Sequence, residues 1–324
     1  SELAQVLSQF KNHKALAGTN VSVGLNNPDD AGVVITSEKK LIQSVDFFTP
    51  VLDNPYDWGR VAAANALSDI YAMGGEPLSA LQLVCWPRDH LSFEILGDVI
   101  RGGLDVMEKA DCSVIGGHSI DDNEPKYGFS VTGTANRNIF LNNAIKKGDK
   151  LFLSKPLGTG IISTAIKKDL TNSEVIKEAT EVMAGLNNTA SDFAHKHNAN
   201  AVTDITGFGL FGHLKEMLKS TGLGATINSA NIPAINGVKE LLDNGIFSSG
   251  SQRNLDYVKT SIIDNTKDSN LIKLCCDAQT SGGLLIAIPE DENINIQVIK
   301  ETMKLDLWEI GQISDQYIEK INII

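Results

Sequence analysis

The chain has 324 residues, which at about 150 residues per domain predicts two domains rather than one or three. With 42% hydrophobic and 21% charged residues, 28 Gly and only 9 Pro, the composition excludes collagen-like and disordered classes and predicts a folded protein with a sizeable core. Its net charge of -12 repels phosphate backbones, which excludes non-specific nucleic-acid binding and requires any polyanionic ligand to be met by local amides, lysines or metal ions.

In chain order, residues 31–35 and 41–45 read as strands around a polar turn at 36–40. A helix follows from Pro55 to Met73, with Pro in its first turn and Gly74-Gly75 just past its end. A strand at 79–86, a helix at 92–110, a short strand at 113–115 and a strand at 127–135 complete the first half. The charged stretch Lys146-Lys147-Gly148-Asp149-Lys150 marks a boundary, dividing the chain into 1–140 and 149–324. The second half opens with a strand at 151–154 and a turn at 155–160, followed by several helices. A strand at 199–204 then runs into Gly207-x-Gly209-x-x-Gly212 and a helix through Lys219. Residues 247–270, rich in Ser, Asn and Asp, read as irregular. This alternation predicts a mixed α/β (α+β) architecture. No apolar run approaches the roughly 20 residues a membrane-spanning helix needs. The four cysteines, Cys85, Cys112, Cys275 and Cys276, lack C-x-x-C spacing, and no basic-plus-apolar leader opens the chain. Small core thiols in a reducing cytoplasm are therefore expected.

The helix at 55–73 has almost no polar face, so it is expected to be buried. Asn65 and Asp69 stand at i and i+4 and share one side of it. A buried carboxylate needs a cation or strong donors, and the competing reading is a helix cap or a partner for Arg. Asp29-Asp30, Asp46 and Asp204 sit in similarly apolar settings near predicted strand ends. Taken one at a time each suits a turn, whereas the set suits magnesium, which takes oxygen ligands and shares them with substrate phosphates. The Gly207-x-Gly209-x-x-Gly212 pattern formally matches a dinucleotide fingerprint, but the stretch from Asn228 to Asn236 holds no acidic residue for the ribose. A tight turn with close helix packing is expected instead. Gly116-Gly117-His118-Ser119 follows a short strand, where its amides and hydroxyl would cradle a phosphate. The competing reading of His118 is a hydrogen-bonded turn residue. Asp277 to Gly283 reads as a turn leading into the apolar run at 284–288.

In order, DDAGVV at 29–34, VDFFTP at 45–50, NPYDWGRVAAANALSDIYAMGGEP at 54–77, GGHSIDD at 116–122, SKPLGTG at 154–160, TDITGFGLFGHL at 203–214 and CDAQTSGGLL at 276–285 resemble the selenophosphate synthetase family. The family belongs to the aminoimidazole ribonucleotide synthetase-like superfamily, and the resemblance spans nearly the whole chain. It implies a two-domain fold in which N-terminal sheet domains pair into a homodimer and each C-terminal half forms an α/β lobe. ATP would lie in the cleft between the lobes. It implies Asp30, Asp69 and Asp204 as magnesium ligands, with Asp46 and Asn65 as further candidates and K+ as a candidate second ion. Asn27, Pro28 and Asp29 match a nucleotide-contacting turn, where Pro28 stands in place of an Arg that some relatives carry. Asp46 and Asp69 also fall at the nucleotide, and Gly117, His118 and Ser119 match a segment that reaches ATP in the partner subunit. The implied reaction converts ATP, selenide and water into selenophosphate, AMP and orthophosphate. No segment here matches the family's glycine-rich stretch bearing a Cys or selenocysteine nucleophile and a Lys. Lys11 and Lys14 lie in a helix-like stretch at the wrong position, so that segment is expected upstream of Ser1. The chain as written is then expected to fold without turning over by itself.

Overall fold

The computed structural model describes residues 20–24 and 29–324. Asn27 and Pro28 of the predicted nucleotide turn, and the stretch with Lys11 and Lys14, lie outside the described residues.

The first part of the chain builds a six-stranded sheet in the order β1-β2-β3-β6-β4-β5. Its strands are β1 (Val21–Val23), β2 (Gly32–Ile35), β3 (Lys40–Phe48), β4 (Glu76–Trp86), β5 (Ser113–Asp121) and β6 (Lys126–Ala135). All pairs are antiparallel except β4 with β5, which a crossover helix makes parallel. That helix is α2 (Phe93–Lys109), whose start is fixed by Ser92 accepting from the Ile95 amide. Helix α1 (Pro55–Ala72) begins where Asn54 accepts from the Asp57 amide and Pro55 presets the first turn. The two helices cross at Gly59 and Gly102, where a Cβ would sit 1.9 Å from the Val99 and Tyr56 carbonyl oxygens, so only glycine permits the approach.

The second part builds a seven-stranded sheet in the order β10-β13-β9-β12-β7-β11-β8. These are β7 (Lys150–Leu153), β8 (Ala201–Asp204), β9 (Gly224–Ile227), β10 (Ile262–Asp264), β11 (Leu284–Ile288), β12 (Trp308–Ser314) and β13 (Ile321–Ile323). Strand β11 is buried along its whole length and its side chains alternate between two cores. Leu285 and Ala287 join the cluster under α3 (Thr159–Ile166), α4 (Ser173–Ala184), α6 (Gly209–Leu218) and α7 (Val238–Asp243). Leu284, Ile286 and Ile288 join the cluster under α5 (Asn188–Lys196) and α10 (Ile296–Met303). The fold is thus the expected mixed α/β (α+β) one, with helices on both faces of the second sheet. Among the described residues no helix is long and apolar enough to cross a membrane.

Helix α1 explains its own missing polar face. Trp58, Ala62 and Leu67 belong to the core of the first sheet, Val61 to one core of the second, and Ala72 to the other. It is therefore shared by both lobes, and polar contacts follow the same seam. Arg60 donates through both terminal nitrogens to Glu181 of α4 at 2.9 Å, and Ser191 of α5 donates to the Tyr71 carbonyl at 2.7 Å.

Two expectations fail. Residues 247–270 are not irregular: they hold α8 (Ser249–Val258), a short 3-10 turn, β10 and the start of α9 (Ser269–Cys276). Their Ser, Asn and Asp residues are caps and turn closers. Ser248 accepts from the Ser251 amide, Asp268 from Leu271, and Asp264 from Thr266 and Lys267. The strand expected at 113–115 continues to Asp121 because β4 pairs with it through Trp86, with one slip of register at Ile115.

Candidate metal centre

Four aspartates from distant chain positions share one electrostatic environment at the seam between the lobes. Asp46 lies near the end of β3, Asp69 in the last turn of α1, Asp204 at the end of β8 and Asp30 just ahead of β2. Asn65 and Asp69, on one side of α1, line a cavity of about 360 Å³ together with Asp46, Thr206, Gly207 and Thr280. Asp30 lines an adjoining hollow of about 450 Å³ with Asp29, Ser44 and Ser130. Hydroxyls satisfy part of the demand: Thr203 donates to Asp30 Oδ1 at 2.7 Å, tying the two lobes, and Ser44 donates to Asp69.

The remainder is unsatisfied. Burial, followed by repulsion from Asp204, pushes the Asp46 carboxyl up to about 6. Burial alone outweighs the helpful Ser68 and Lys155 and raises Asp204 to about 6. Asp30 and Asp69 are raised well above the ordinary carboxylate range, first by burial and then by the charge of Asp204, with Asp29 acting on the former and Asp46 and Asp30 on the latter. Asp30 Oδ2 and Asp204 Oδ2 are buried without any hydrogen-bond partner. An unpaired buried carboxylate oxygen is costly, and a hard cation with oxygen preference removes that cost. Among the described residues no three acidic, His or Cys side chains form a ready-made ligand group. Asn65 differs from the other candidate ligands, because its Oδ1 already accepts from the Ser281 amide at 3.0 Å.

The surrounding motifs have structural duties that sequence reasoning did not find. Asp277 is fully buried and caps α3. Its carboxylate accepts from the Gly160 and Ile161 amides at 3.0 and 3.1 Å, from Ser251 Oγ at 2.9 Å and from Gln279 Nε2 at 2.9 Å. Gln279 Oε1 in turn accepts from the Gly158 and Thr159 amides. The helix start that would suit a phosphate is thus filled by the chain's own side chains. Asp277→Ala is expected to cost about 3 kcal/mol by urea unfolding, because two amides and a hydroxyl lose their acceptor. An unchanged midpoint would show that this cap is dispensable.

His213, half-buried, accepts from the Thr206 amide through Nε2 at 3.1 Å, so its proton sits on Nδ1. Burial lowers its pKa to about 4 and keeps it neutral. It pins the turn from Thr206 to Phe208 beside Asp204. Gly209 has φ +68 and a Cβ there would meet the Asp277 carbonyl oxygen at 2.8 Å, so the glycine pattern is the tight turn expected. The only sequence signal for either residue is a polar side chain inside an otherwise apolar block.

Asp29 accepts from the Asn142 amide at 3.0 Å and from its neighbour Asp30 at 2.9 Å. Gly117, His118 and Ser119 do not join the aspartates in this chain. They lie mid-strand on β5, the exposed edge of the first sheet, so the reading of a phosphate-cradling turn at a strand end is corrected. Gly117 is required by pairing, since a Cβ would meet the Gln82 carbonyl oxygen at 2.1 Å. Across the outer face of this sheet Val45 and Phe47 of β3, Leu81 of β4 and Ile120 of β5 are exposed although large and apolar.

Comparison with known proteins places this geometry. Residues 28–135 match the AIR synthase related protein N-terminal domain, and residues 146–323 match the corresponding C-terminal domain. Selenide, water dikinase of Caldanaerobacter subterraneus subsp. tengcongensis is 43% identical over 97% of this chain and 91% of its own length. The chain belongs to the selenide, water dikinase family. The Myxococcus xanthus selenide, water dikinase is 42% identical over 97% of this chain and 89% of its own. Among solved structures, thiamine monophosphate kinase from Aquifex aeolicus superposes with a TM-score of 0.71 at 17% identity, covering 98% of this chain and 96% of that one. Hydrogenase maturation protein HypE in complex with ATP gives 0.64 at 12% identity, over 100% and 91%. At those identities the likeness speaks for the fold alone.

Proposed function

We propose that this chain binds ATP with Mg2+ at the seam between its lobes and is the ATP- and magnesium-binding body of an enzyme that converts ATP, selenide and water into selenophosphate, AMP and orthophosphate, but does not turn over by itself. The observation that carries the reading is the set of four mutually repelling aspartates, two of them with orphaned buried oxygens, in a chain of the selenide, water dikinase family. We assign Asp30, Asp69 and Asp204 as metal ligands, with Asp46 and Asn65 beside them. Asp29, Asp46 and Asp69 would face the nucleotide, and Asn27 and Pro28 would complete its turn. K+ is a candidate second ion. Bound magnesium would offset triphosphate charge at a protein of net charge -12. Phosphoryl transfer asks mainly for positioning, and the chain's own residues provide it. Thr203 and Ser44 orient Asp30 and Asp69, and His213 holds the turn that follows Asp204. Burial pushes the Cys112 thiol up to about 11 and Cys276 to about 12, and Cys275 is raised too, so none of these three suits a nucleophile.

The reading includes a division near 140–149, action in the cytoplasm, and a homodimer formed by the first sheet. In such a dimer Gly117, His118 and Ser119 would complete the partner's site. Phosphorus NMR tests the reaction: with ATP, Mg2+ and selenide, the full-length enzyme is expected to give AMP and orthophosphate in equal amounts together with a selenophosphate signal, and residues 1–324 alone are expected to give none. Selenide-independent ADP formation would point to another ATP-dependent activity of the superfamily. Binding without turnover by the full-length protein would point to a non-catalytic paralogue.

A further inference from the structure

Lys155 stands just past β7 with only 8% of its surface exposed. A buried ammonium is costly and normally answers a carboxylate. This one donates instead to two backbone carbonyls, Gly185 at 2.6 Å and Ser281 at 2.9 Å. The first ends α4, and the second belongs to the loop Thr280–Gly283 between α9 and β11.

That loop is specified residue by residue. Ser281 has φ +49, in the left-handed region that a serine seldom adopts, and its amide donates to Asn65 Oδ1 of α1 at 3.0 Å. The Gly282 carbonyl accepts from Asn187 Nδ2 at 2.9 Å, and the same nitrogen donates to Ser68 Oγ of α1 at 2.9 Å. The Gly283 carbonyl accepts from the Ile205 amide at 2.8 Å, next to Asp204. A Cβ on Gly282 would lie 2.0 Å from the Ile205 carbonyl oxygen, and one on Gly283 would lie 2.5 Å from the Lys155 nitrogen of the main chain. Thr280 lines the cavity that holds Asp46 and Asp69. The Ser281 peptide is therefore gripped from both sides, its amide by the first lobe and its carbonyl by Lys155.

We propose that Lys155 is a positioning residue for the metal and phosphate cavity: by holding the Ser281 and Gly185 carbonyls it seats the Thr280–Gly283 loop on α1, and so sets Thr280 and Asn65 beside Asp46 and Asp69. This rests on reading that cavity as a Mg2+–nucleotide site. Burial lowers the Lys155 pKa to about 7, against the pull of Asp204, so it is the two hydrogen bonds to the Gly185 and Ser281 carbonyls that hold the side chain.

The test uses Lys155→Met, which keeps length and removes the donors, with AMPPCP and Mg2+ titrated by calorimetry at a temperature where both chains are folded. Affinity is expected to fall by about tenfold or more, the loss usual when a group supporting a metal ligand is removed. A lowered melting temperature with unchanged affinity would overturn the proposal and leave Lys155 a purely structural lysine. Failure of the unaltered chain to bind Mg2+–AMPPCP would instead overturn the reading of the cavity itself. Where Lys155→Met does not fold, hydrogen exchange on the unaltered chain decides. The Thr280–Gly283 amides are expected to exchange more slowly once Mg2+–AMPPCP is added, and unchanged exchange overturns the proposal.

Discussion

Asp204→Asn is expected to stabilise the metal-free protein by about 2–3 kcal/mol at pH 8 while weakening Mg2+-dependent nucleotide binding by at least about a hundredfold. The opposite signs come from one cause. Asp204 is 2% exposed, one of its oxygens has no partner, and its carboxyl is pushed up from 3.8 to about 6 by burial. Between those two values the folded state binds a proton that the unfolded state releases. The destabilisation is therefore fully present above about pH 6 and fades as pH falls toward 4. An Asn carries no charge and removes repulsion from Asp30, Asp46 and Asp69 as well, but it also removes the anionic oxygen a cation needs. Urea unfolding of both chains at pH 8 and pH 4.5 checks the first half, with the advantage of Asn shrinking at the lower pH. Calorimetry with Mg2+–AMPPCP checks the second. A variant less stable than its parent at pH 8, with nucleotide binding intact, would make Asp204 an ordinary structural carboxylate.

A second large effect is expected at the outer face of the first sheet. Val45 of β3 and Leu81 of β4 both flank Ser130 of β6 in the register, so they share that face on either side of Ser130. They are 55% and 46% exposed, and Phe47 and Ile120 extend the patch at 49% each. Apolar surface of this kind is the usual material of an interface. The double variant Val45→Arg, Leu81→Arg is expected to weaken self-association by about 4 kcal/mol, roughly a thousandfold. Sedimentation should then show a folded monomer at concentrations where the parent chain is a dimer. A parent chain that sediments as a monomer at micromolar concentration would remove the proposed pairing altogether. A dimer that survives both arginines would move it to another surface.

The residues that could be read from the sequence are those whose signal is local. The apolar run of α1 announces burial, its 3.6-residue period puts Asn65 and Asp69 on one side, and Asp46 and Asp204 stand beside strand runs that are hard to mistake. Four scattered aspartates are ambiguous one at a time; their ordered motifs and their family carry the identification. What escaped notice depends on partners far away in the chain. Lys155 acts on Ser281, Asp277 caps a helix that begins at Thr159, and β5 is a strand beyond Ile115 only because β4 lies next to it. Glycines at 116 and 117 argue locally for a turn, and pairing overrides them. The Ser, Asn and Asp of 247–270 argue for irregular chain, yet caps use those same residues.

The central claim is that the aspartates at the seam hold the metal of a nucleotide complex. It is tested most directly by diffraction from crystals grown with Mn2+ in place of Mg2+ together with AMPPCP, using the anomalous signal of manganese to place the ions. The account predicts manganese held by aspartates of the set Asp30, Asp46, Asp69 and Asp204, with the nucleotide in the cavity lined by Asn65 and Thr280. Well-ordered AMPPCP elsewhere on the protein, with no manganese at these four carboxylates, would contradict it.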